Sequence, residues 1–316
     1  MFFKSNSVWK RLQPFLRFGI PAVLLFFIGR QVAKDWDKII NSFNSDAIWW
    51  ALPAFLFFFL GVGTIAWNWK VLLEILGAQY SFTESFRSFY YSMLLKYMPG
   101  KIWGVTGRIV LAKRDGIPEG TNVLSIILES LFLMTSSSII GLLVLSRLLL
   151  MPWEIQVLLL LSPSVLVFLH PKMIHRAVKI LSRRFPDYVV PLEDVPKFGM
   201  ILRLLMQYSF VWVFHGLGFW FLLKMLDPLG KEYILLSMGG NSLAWLVGFL
   251  AVFTPAGLGV RELILTRLSS GIVKAGPAAA AAVLSRVIII LCELIGSLIL
   301  FFLKPQKDKG FSSEHT

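Results

Sequence analysis

Long apolar runs separated by short, mostly basic connections make up most of this chain of 316 residues. The runs are apolar nearly all round, which is typical of helices surrounded by lipid rather than by water. They predict membrane spans at residues 18–28, 47–67, 123–145, 155–169, 200–223, 233–253 and 283–303. The pattern therefore indicates an all-α protein, a polytopic membrane helix bundle of about seven or eight spans.

Two local sequence signals add detail to the predicted elements between the second and third spans. Trp67 and Trp69 follow the second apolar run and predict that it ends at a membrane interface. The sequence from Ser81 to Glu84 has the form of a capping box and predicts the start of a helix with one aromatic face. We expect this helix to be interfacial or re-entrant.

The segment around Pro255 interrupts apolar sequence at a depth where a helix would otherwise cross the bilayer. Pro255 lacks a backbone donor, and Gly257 and Gly259 lack a Cβ, so a helix can unwind here and restart within a few residues. Arg261 and Glu262 would then lie in the first turn of the restarted helix. Unwound backbone at this depth must be buried in protein or line a watery cavity, and many transporters bind substrates at such breaks.

A second interruption lies earlier in the chain. Pro99-Gly100 precedes residues 102–110, which Gly104 and Gly107 are expected to break. We predict non-helical backbone from Pro99 to Gly104, and we expect the two interruptions to lie close together because each needs partners for its freed backbone groups.

The order of features around the two interruptions is similar and suggests a pseudo-repeat. Each one leads through a glycine-valine pair to an arginine and then to a Val-Leu-Ser sequence, at residues 123–125 and 283–285. A glutamate inside an apolar span follows each, Glu129 and Glu293. We interpret residues 1–316 as a single integral membrane domain with repeat halves at roughly 47–170 and 200–303.

The charge balance supports membrane insertion rather than nucleic-acid binding. Lys and Arg number 31 against 18 Asp and Glu, giving a net charge of +13. In a membrane protein this excess is typical of cytoplasmic connections and attracts anionic phospholipids. Basic residues place the N-terminus and the connection 170–197 in the cytoplasm, so we expect a multi-pass protein of the cell (inner) membrane.

Composition argues against metal, redox and nucleotide-driven chemistry. There is one cysteine, and the four histidines fit no metal-binding spacing, so we expect neither a metal nor another cofactor. The sequence contains no GxxxxGK[ST] motif for ATP. No soluble catalytic domain fits between the spans, so we expect the protein not to be an enzyme.

Charged side chains near the two interruptions are the candidate site residues. Arginine suits a lipid phosphate because its planar fork donates two parallel hydrogen bonds. The predicted substrate-binding residues are Lys101, Arg108, Pro255, Gly257, Gly259, Arg261, Glu262 and Arg286. Glu129 and Glu293 are candidates for ion coupling. The alternative is that these charges pair with one another and stabilise the bundle.

The sequences Lys96-Tyr97-Met98-Pro99-Gly100-Lys101-Ile102-Trp103-Gly104 and Pro255-Ala256-Gly257-Leu258-Gly259-Val260-Arg261-Glu262 resemble those of the flippase-like membrane protein family. That family includes the N-terminal transmembrane domain of bifunctional lysylphosphatidylglycerol synthases. The resemblance covers essentially the whole chain, and the second motif is the more specific. It implies handling of lipids with large polar headgroups, either aminoacylated phospholipids or polyprenyl-linked sugars. The synthase's soluble aminoacyl-transferase domain is absent, so lipid aminoacylation is not implied.

Three functions are compatible with these features. The first is a translocase that shields a lipid headgroup between the two interruptions while the lipid chains stay in the bilayer. The second is a membrane-embedded transferase using a lipid-phosphate sugar donor, for which Asp35, Asp37 and the buried glutamates are the available acids. The third is a non-catalytic scaffold that binds envelope-glycan biosynthesis proteins.

Overall fold

The computed structural model describes residues 45–97, 102–143, 166–184, 196–251 and 259–303, with residues 153, 156, 157, 164 and 257. The side chains of residues 45–47, 177 and 181–184 fall outside this description. Within these ranges every regular element is helical. The α-helices are α1 (Ala51–Ile75), α2 (Phe82–Leu95), α3 (Ile102–Arg114), α4 (Glu119–Gly141), α5 (Leu166–Leu169), α6 (Pro171–Arg184), α7 (Phe198–Leu226), α8 (Ile234–Leu250), α9 (Val260–Ser269) and α10 (Ala275–Phe302). Short 3-10 helices at Ser45–Trp50 and Lys231–Tyr233 lead into α1 and α8.

Five of the described helices are long and apolar enough to cross a membrane. They cover Ile48–Ile75, Glu119–Gly141, Phe198–Leu226, Lys231–Leu250 and Ala275–Phe302. Each overlaps a span predicted from the sequence, so the membrane helix bundle is confirmed. The predicted span at residues 18–28 and most of the one at 155–169 lie outside the described residues, and the total number of spans stays a prediction.

Helix α7 is the centre of the bundle because it packs against α1, α4, α8 and α10. The indole Nε1 of Trp212 on α7 donates a 2.8 Å hydrogen bond to Ser136 Oγ on α4. An interhelical bond of this kind adds to the packing that holds helices together in a membrane. α7 therefore supplies a fixed support for the shorter elements around it.

Helix α10 is longer at its start than the sequence pattern predicts. The sequence pattern predicts a span starting at residue 283, but residues 277–282 belong to the same helix, Ala275–Phe302. Alanine has the highest helix propensity, and Pro277 lies in the first turn, where its missing N–H has no intrahelical partner to lose.

The N-cap predicted at Ser81 is confirmed, although the Glu84 carboxylate bonds the Ser81 hydroxyl rather than the Ser81 backbone N–H of a full capping box. Ser81 Oγ accepts a hydrogen bond from the backbone N–H of Glu84 at 3.3 Å and donates one to the Glu84 carboxylate at 2.9 Å. The helix that follows buries more than its aromatic face. Serines on α2 are buried as well, at positions 85, 88 and 92. Its serine-bearing side therefore also packs inside the bundle.

Helix α3 is continuous, so the prediction that Gly104 and Gly107 break the chain is wrong. Both glycines instead allow α3 to pack closely against α2. A Cβ added to Gly104 would lie 3.3 Å from Lys96 Cβ, and one added to Gly107 would collide with Leu95. Their missing side chains are used for helix packing, as is common for small residues in membrane bundles. Pro99, Gly100 and Lys101 lie outside the described residues.

Helix α1 does not end at the interface predicted at Trp67 and Trp69 but continues to Ile75. Trp67 is exposed, whereas Trp69 is fully buried. The Trp69 indole donates a 3.0 Å hydrogen bond to Ser125 Oγ on α4. A tryptophan that finds a polar partner inside the bundle does not need the interface for its N–H group.

The connection between α1 and α2 is anchored to the end of α3. Tyr80 Oη donates to Asp115 Oδ2 at 2.7 Å and also lies 2.7 Å from Ser88 Oγ. Burial raises the pKa of Tyr80 well above its usual value, so its hydroxyl keeps the proton that it donates. This contact fixes the α2–α3 pair relative to α1.

Candidate functional site

The chain is interrupted between α8 and α9, as the sequence predicts. α8 ends at Leu250 and α9 begins at Val260, and Gly257 and Gly259 have φ values of +69° and +84°. L-residues with a side chain rarely adopt these values, so glycine is required by the backbone at both positions. Pro255 lies outside the described residues.

The interruption is packed tightly against α8. A Cβ added to Gly257 would lie 2.8 Å from the carbonyl oxygen of Gly248. A Cβ added to Gly248 would in turn lie 3.3 Å from Arg261 Cβ. The absence of a side chain at both glycines therefore allows the start of α9 to pack against the C-terminal end of α8.

Glu262 organises the start of α9. Its Oε2 accepts a 2.8 Å hydrogen bond from the backbone N–H of Gly259, which would otherwise be one of the unpaired donors at a helix start. Its Oε1 accepts a hydrogen bond from Arg286 Nε on α10. One carboxylate thus caps α9 and joins it to α10, and Arg286 also reaches the Gly257 carbonyl oxygen at 3.5 Å.

Arg261 is a buried cation that keeps an N–H group without a hydrogen-bond partner among the described residues. Its side chain is buried, and Nη1 donates a 3.1 Å hydrogen bond to Ser285 Oγ while lying 3.8 Å from Glu262 Oε1. Nη2 is buried and has no hydrogen-bond partner among the described residues. A buried guanidinium with an unpaired N–H group is costly unless another acceptor binds it. Arg261 can therefore bind a further anion.

A second ion pair completes the cluster from the side of α2. Lys96, one residue beyond α2, pairs with the buried carboxylate of Glu293 on α10. The helices come close enough because Gly296 lies against the Tyr90 ring, where an added Cβ would collide. We call Lys96, Arg261, Glu262, Arg286 and Glu293 the break cluster.

Tyr97 lies close to charged residues of the break cluster. It is the last described residue before residues 98–101, and it lies within electrostatic range of Glu293, Arg286 and Arg261. The residue that precedes the first interruption therefore lies at the break cluster. Residues 98–101 lie outside the described residues, so the proximity of the two interruptions stays a prediction.

His215 on α7 lies beside the same cluster, within electrostatic range of Arg261 and Lys96. Its Nδ1–H donates a 3.0 Å hydrogen bond to the Val211 carbonyl oxygen. The imidazole also packs on Gly61, where an added Cβ would lie 2.9 Å from its Cε1. These contacts give it a packing role.

Arg108 and Glu129 form a separate buried pair on α3 and α4. Arg108 Nη1 donates to Glu129 Oε2 at 2.7 Å, and its Nε donates to Ser92 Oγ at 3.2 Å. The guanidinium also lies over the rings of Phe89 and Trp69, with 4.6 Å and 5.0 Å to the ring centroids. Arg108 therefore has more hydrogen-bond and ring contacts than Arg261 has, which supports a structural role for Arg108.

The predicted site residues thus separate into two groups. The structure brings Gly257, Gly259, Arg261, Glu262 and Arg286 together with Glu293, while Arg108 and Glu129 pair with each other elsewhere. Lys101 lies outside the described residues. Both glutamates proposed for ion coupling are ion-paired, and their coupling role stays a prediction. Within the described ranges there is no group of three or more His, Cys, Asp or Glu that could hold a metal.

Sequence reasoning missed Lys96, Ser285 and Gly248 as parts of this site. Lys96 had a usable signal, since it stands directly before the first interruption. Ser285 belonged to the repeated Val-Leu-Ser sequence and precedes Arg286. Gly248 gave no signal, because a glycine inside an apolar span is common in membrane helices.

We expect Gly257→Ala to destabilise the protein more than Gly259→Ala does. Both changes force a residue with a Cβ into a positive-φ conformation, which costs roughly 1–3 kcal/mol. Only Gly257 also faces a close neighbour, the Gly248 carbonyl, whereas nothing lies within 4 Å of a Cβ at Gly259. Overpacking adds about 1–3 kcal/mol. Chemical unfolding of both variants in detergent measures the difference, and equal losses would mean that the contact with Gly248 is not limiting.

A family model described as the transmembrane region of lysylphosphatidylglycerol synthase matches residues 15–296. The matched range contains both interruptions, the break cluster and the Arg108–Glu129 pair. Comparison with curated proteins gives no match.

Proposed function

Because the chain belongs to the family of the lysylphosphatidylglycerol synthase transmembrane region, we propose that it is a translocase for a lipid with a large polar headgroup. The substrate class is an aminoacylated phospholipid or a polyprenyl-linked glycan of cell-envelope biogenesis. The protein acts in the cell (inner) membrane with its N-terminus in the cytoplasm, and it is not an enzyme.

The observation that carries this proposal is the unpaired Nη2 of buried Arg261 beside the interrupted backbone. A phosphate oxygen is a suitable acceptor for this N–H group, because charge-assisted bonds from arginine to phosphate are strong. The neighbouring start of α9 favours an anion through its amide dipoles. A lipid phosphate bound here would be shielded from the acyl chains of the bilayer.

The charge count of the break cluster supports an anionic ligand. Its three cations are Lys96, Arg261 and Arg286, and its two carboxylates are Glu262 and Glu293. Each carboxylate already has its own close cationic partner, Arg286 for Glu262 and Lys96 for Glu293. Arg261 is the cation without a close carboxylate of its own, so a bound phosphate would neutralise the remaining positive charge of the cluster.

Reconstitution of the purified full chain tests this function. Vesicles carry a fluorescent aminoacylated phosphatidylglycerol, phosphatidylglycerol itself or a polyprenyl-phosphate sugar, and an impermeant reductant bleaches the outer leaflet. We expect the protein to expose the inner-leaflet pool of at least one of these lipids faster than protein-free vesicles do. Mass spectrometry of lipids that co-purify with the protein identifies the preferred headgroup.

Two results would contradict the proposal. The first is the same bleaching time course with and without protein for all three lipids. The second is chemical conversion of the sugar lipid in the same vesicles, which would indicate the transferase. Vesicles containing the Arg267→Ala variant are a suitable control, because Arg267 is an exposed arginine on the same helix as Arg261.

A further inference from the structure

Helix α6 differs from the spans in that its sides have three distinct chemical characters. It follows the short helix α5 and precedes α7, and its sequence contains lysine and arginine but no acidic residue. Residues three and four positions apart share a side of a helix, which defines the three sides.

One side of α6 is attached to the bundle. Ile174 and Val178 are buried and belong to an apolar cluster with Leu128 on α4 and Leu204 on α7. This packing fixes the rotation of α6 about its own axis. The other two sides therefore have defined directions.

A second side is apolar and exposed. Met173 and Ile180 are 37% and 68% exposed, and they are seven residues apart, which is two helical turns. Leu166, Val167 and Phe168 of α5, just before α6, are exposed and apolar as well. The exposed apolar strip of α6, Met173 and Ile180, is suited to contact with lipid chains.

The third side is basic. Lys172, Arg176 and Lys179 are exposed and follow one another at four- and three-residue spacing. Their side chains border the exposed apolar strip rather than opposing it across the helix. Lysine and arginine beside an apolar strip match the order of layers in a bilayer, where phosphates lie just outside the acyl chains.

We propose that α6 lies in the membrane interface and that its basic side binds the headgroup phosphates of anionic phospholipids. Met173 and Ile180 enter the outer part of the acyl-chain layer, while Lys172, Arg176 and Lys179 contact the phosphates. Charge complementarity specifies the occupant, because a zwitterionic headgroup offers no net charge to three neighbouring cations.

An environment-sensitive fluorophore on α6 tests this inference without any transport measurement. The variant Ile180→Cys, in a Cys292→Ala background, is labelled and placed in nanodiscs of phosphatidylcholine alone or with increasing phosphatidylglycerol. We expect phosphatidylglycerol to shift the emission to the blue and to protect the fluorophore from a neutral aqueous quencher. High salt should reverse both effects.

Matched charge variants give the decisive comparison. Three charges are removed in Lys172→Gln/Arg176→Gln/Lys179→Gln. This variant should have an apparent affinity for phosphatidylglycerol about 100-fold lower, since each Lys or Arg near an anionic surface contributes about 1 kcal/mol. Lys231→Gln/Arg267→Gln/Lys274→Gln removes the same charge from exposed positions elsewhere and should leave the effect unchanged.

Two outcomes would overturn the proposal. One is a fluorophore that stays equally exposed to quencher at every phosphatidylglycerol content, as expected if α6 binds a soluble acidic protein instead. The other is an equal loss of the effect in both triple variants, which would indicate a response to net charge alone. Neither outcome bears on lipid translocation, so the two proposals can fail separately.

Discussion

Arg108→Ala should lower the free energy of unfolding by about 3–5 kcal/mol, because it leaves the buried carboxylate of Glu129 without its cation. The variant also removes the guanidinium that lies over the rings of Phe89 and Trp69 and the hydrogen bond to Ser92. Chemical unfolding in mixed micelles, followed by the fluorescence of the buried tryptophans, measures the loss.

The first control for this prediction lies on the same helix as Arg108. Arg114→Ala removes an exposed arginine whose contact with Asp115 is 3.4 Å long, and it should change stability little. Replacing both members of the buried pair, Arg108→Met with Glu129→Leu, should recover most of the loss, because no buried charge is left alone. A double variant as unstable as the worse single variant would show that the pair is not the reason for the loss.

The spans could be predicted from the sequence because lipid imposes a simple requirement on it. A helix that crosses the bilayer needs about 20 apolar residues, and the runs that became α4, α7, α8 and α10 satisfy this without help from tertiary contacts. The start of α2 was predictable for a different reason. The cap of Ser81 is a local hydrogen bond, which four consecutive residues determine.

The role of glycine could not be predicted from the sequence alone. Gly257 and Gly259 adopt positive φ values and interrupt the chain, whereas Gly104 and Gly107 lie inside a continuous helix. The difference lies in what surrounds them, since Gly104 and Gly107 face α2 at a distance that excludes a side chain. The sequence does not show whether a glycine is needed for a positive φ value or for close packing against a neighbouring helix.

The pairing of the charges could not be predicted from the sequence either. Arg261 and Glu262 are adjacent in sequence and suggest a pair, but neighbours on a helix point in different directions. Glu262 instead bonds Arg286, which lies one helix away and 24 residues later. The sequence could place these charges in one region, but only the packing of α9 on α10 decides which of them is left with an unpaired N–H group.

The two serines of the repeated Val-Leu-Ser sequence show a similar correspondence in the structure. Ser125 and Ser285 each donate to the carbonyl oxygen three residues earlier, at 2.7 Å in both cases. Each Oγ also accepts a bond from a buried side chain of another helix, Trp69 in one case and Arg261 in the other. The partners differ, so equivalent positions fix a tryptophan in one half of the chain and a cation in the other.

Arg261→Ala should reduce translocation of the native lipid at least about tenfold while leaving the protein folded. A tenfold change corresponds to about 1.4 kcal/mol, which is less than a charge-assisted bond to phosphate contributes. The fold should persist because Glu262 keeps its bonds to Arg286 and to the Gly259 N–H group. Vesicle bleaching measures the translocation, and the melting temperature in detergent measures the folding.

Two further variants separate lipid binding from simple charge neutralisation. If Arg261 only neutralised Glu262, then Arg261→Ala combined with Glu262→Gln would remove both charges and restore activity. If Arg261 binds the lipid phosphate, this double variant stays inactive, whereas Glu262→Gln alone, which removes the same carboxylate from Arg286, keeps more activity. Arg261→Lys should keep part of the activity, because lysine retains the charge but loses the planar fork that donates two parallel bonds. Arg267→Ala should be as active as the unchanged protein, and an active double variant would contradict the binding role of Arg261.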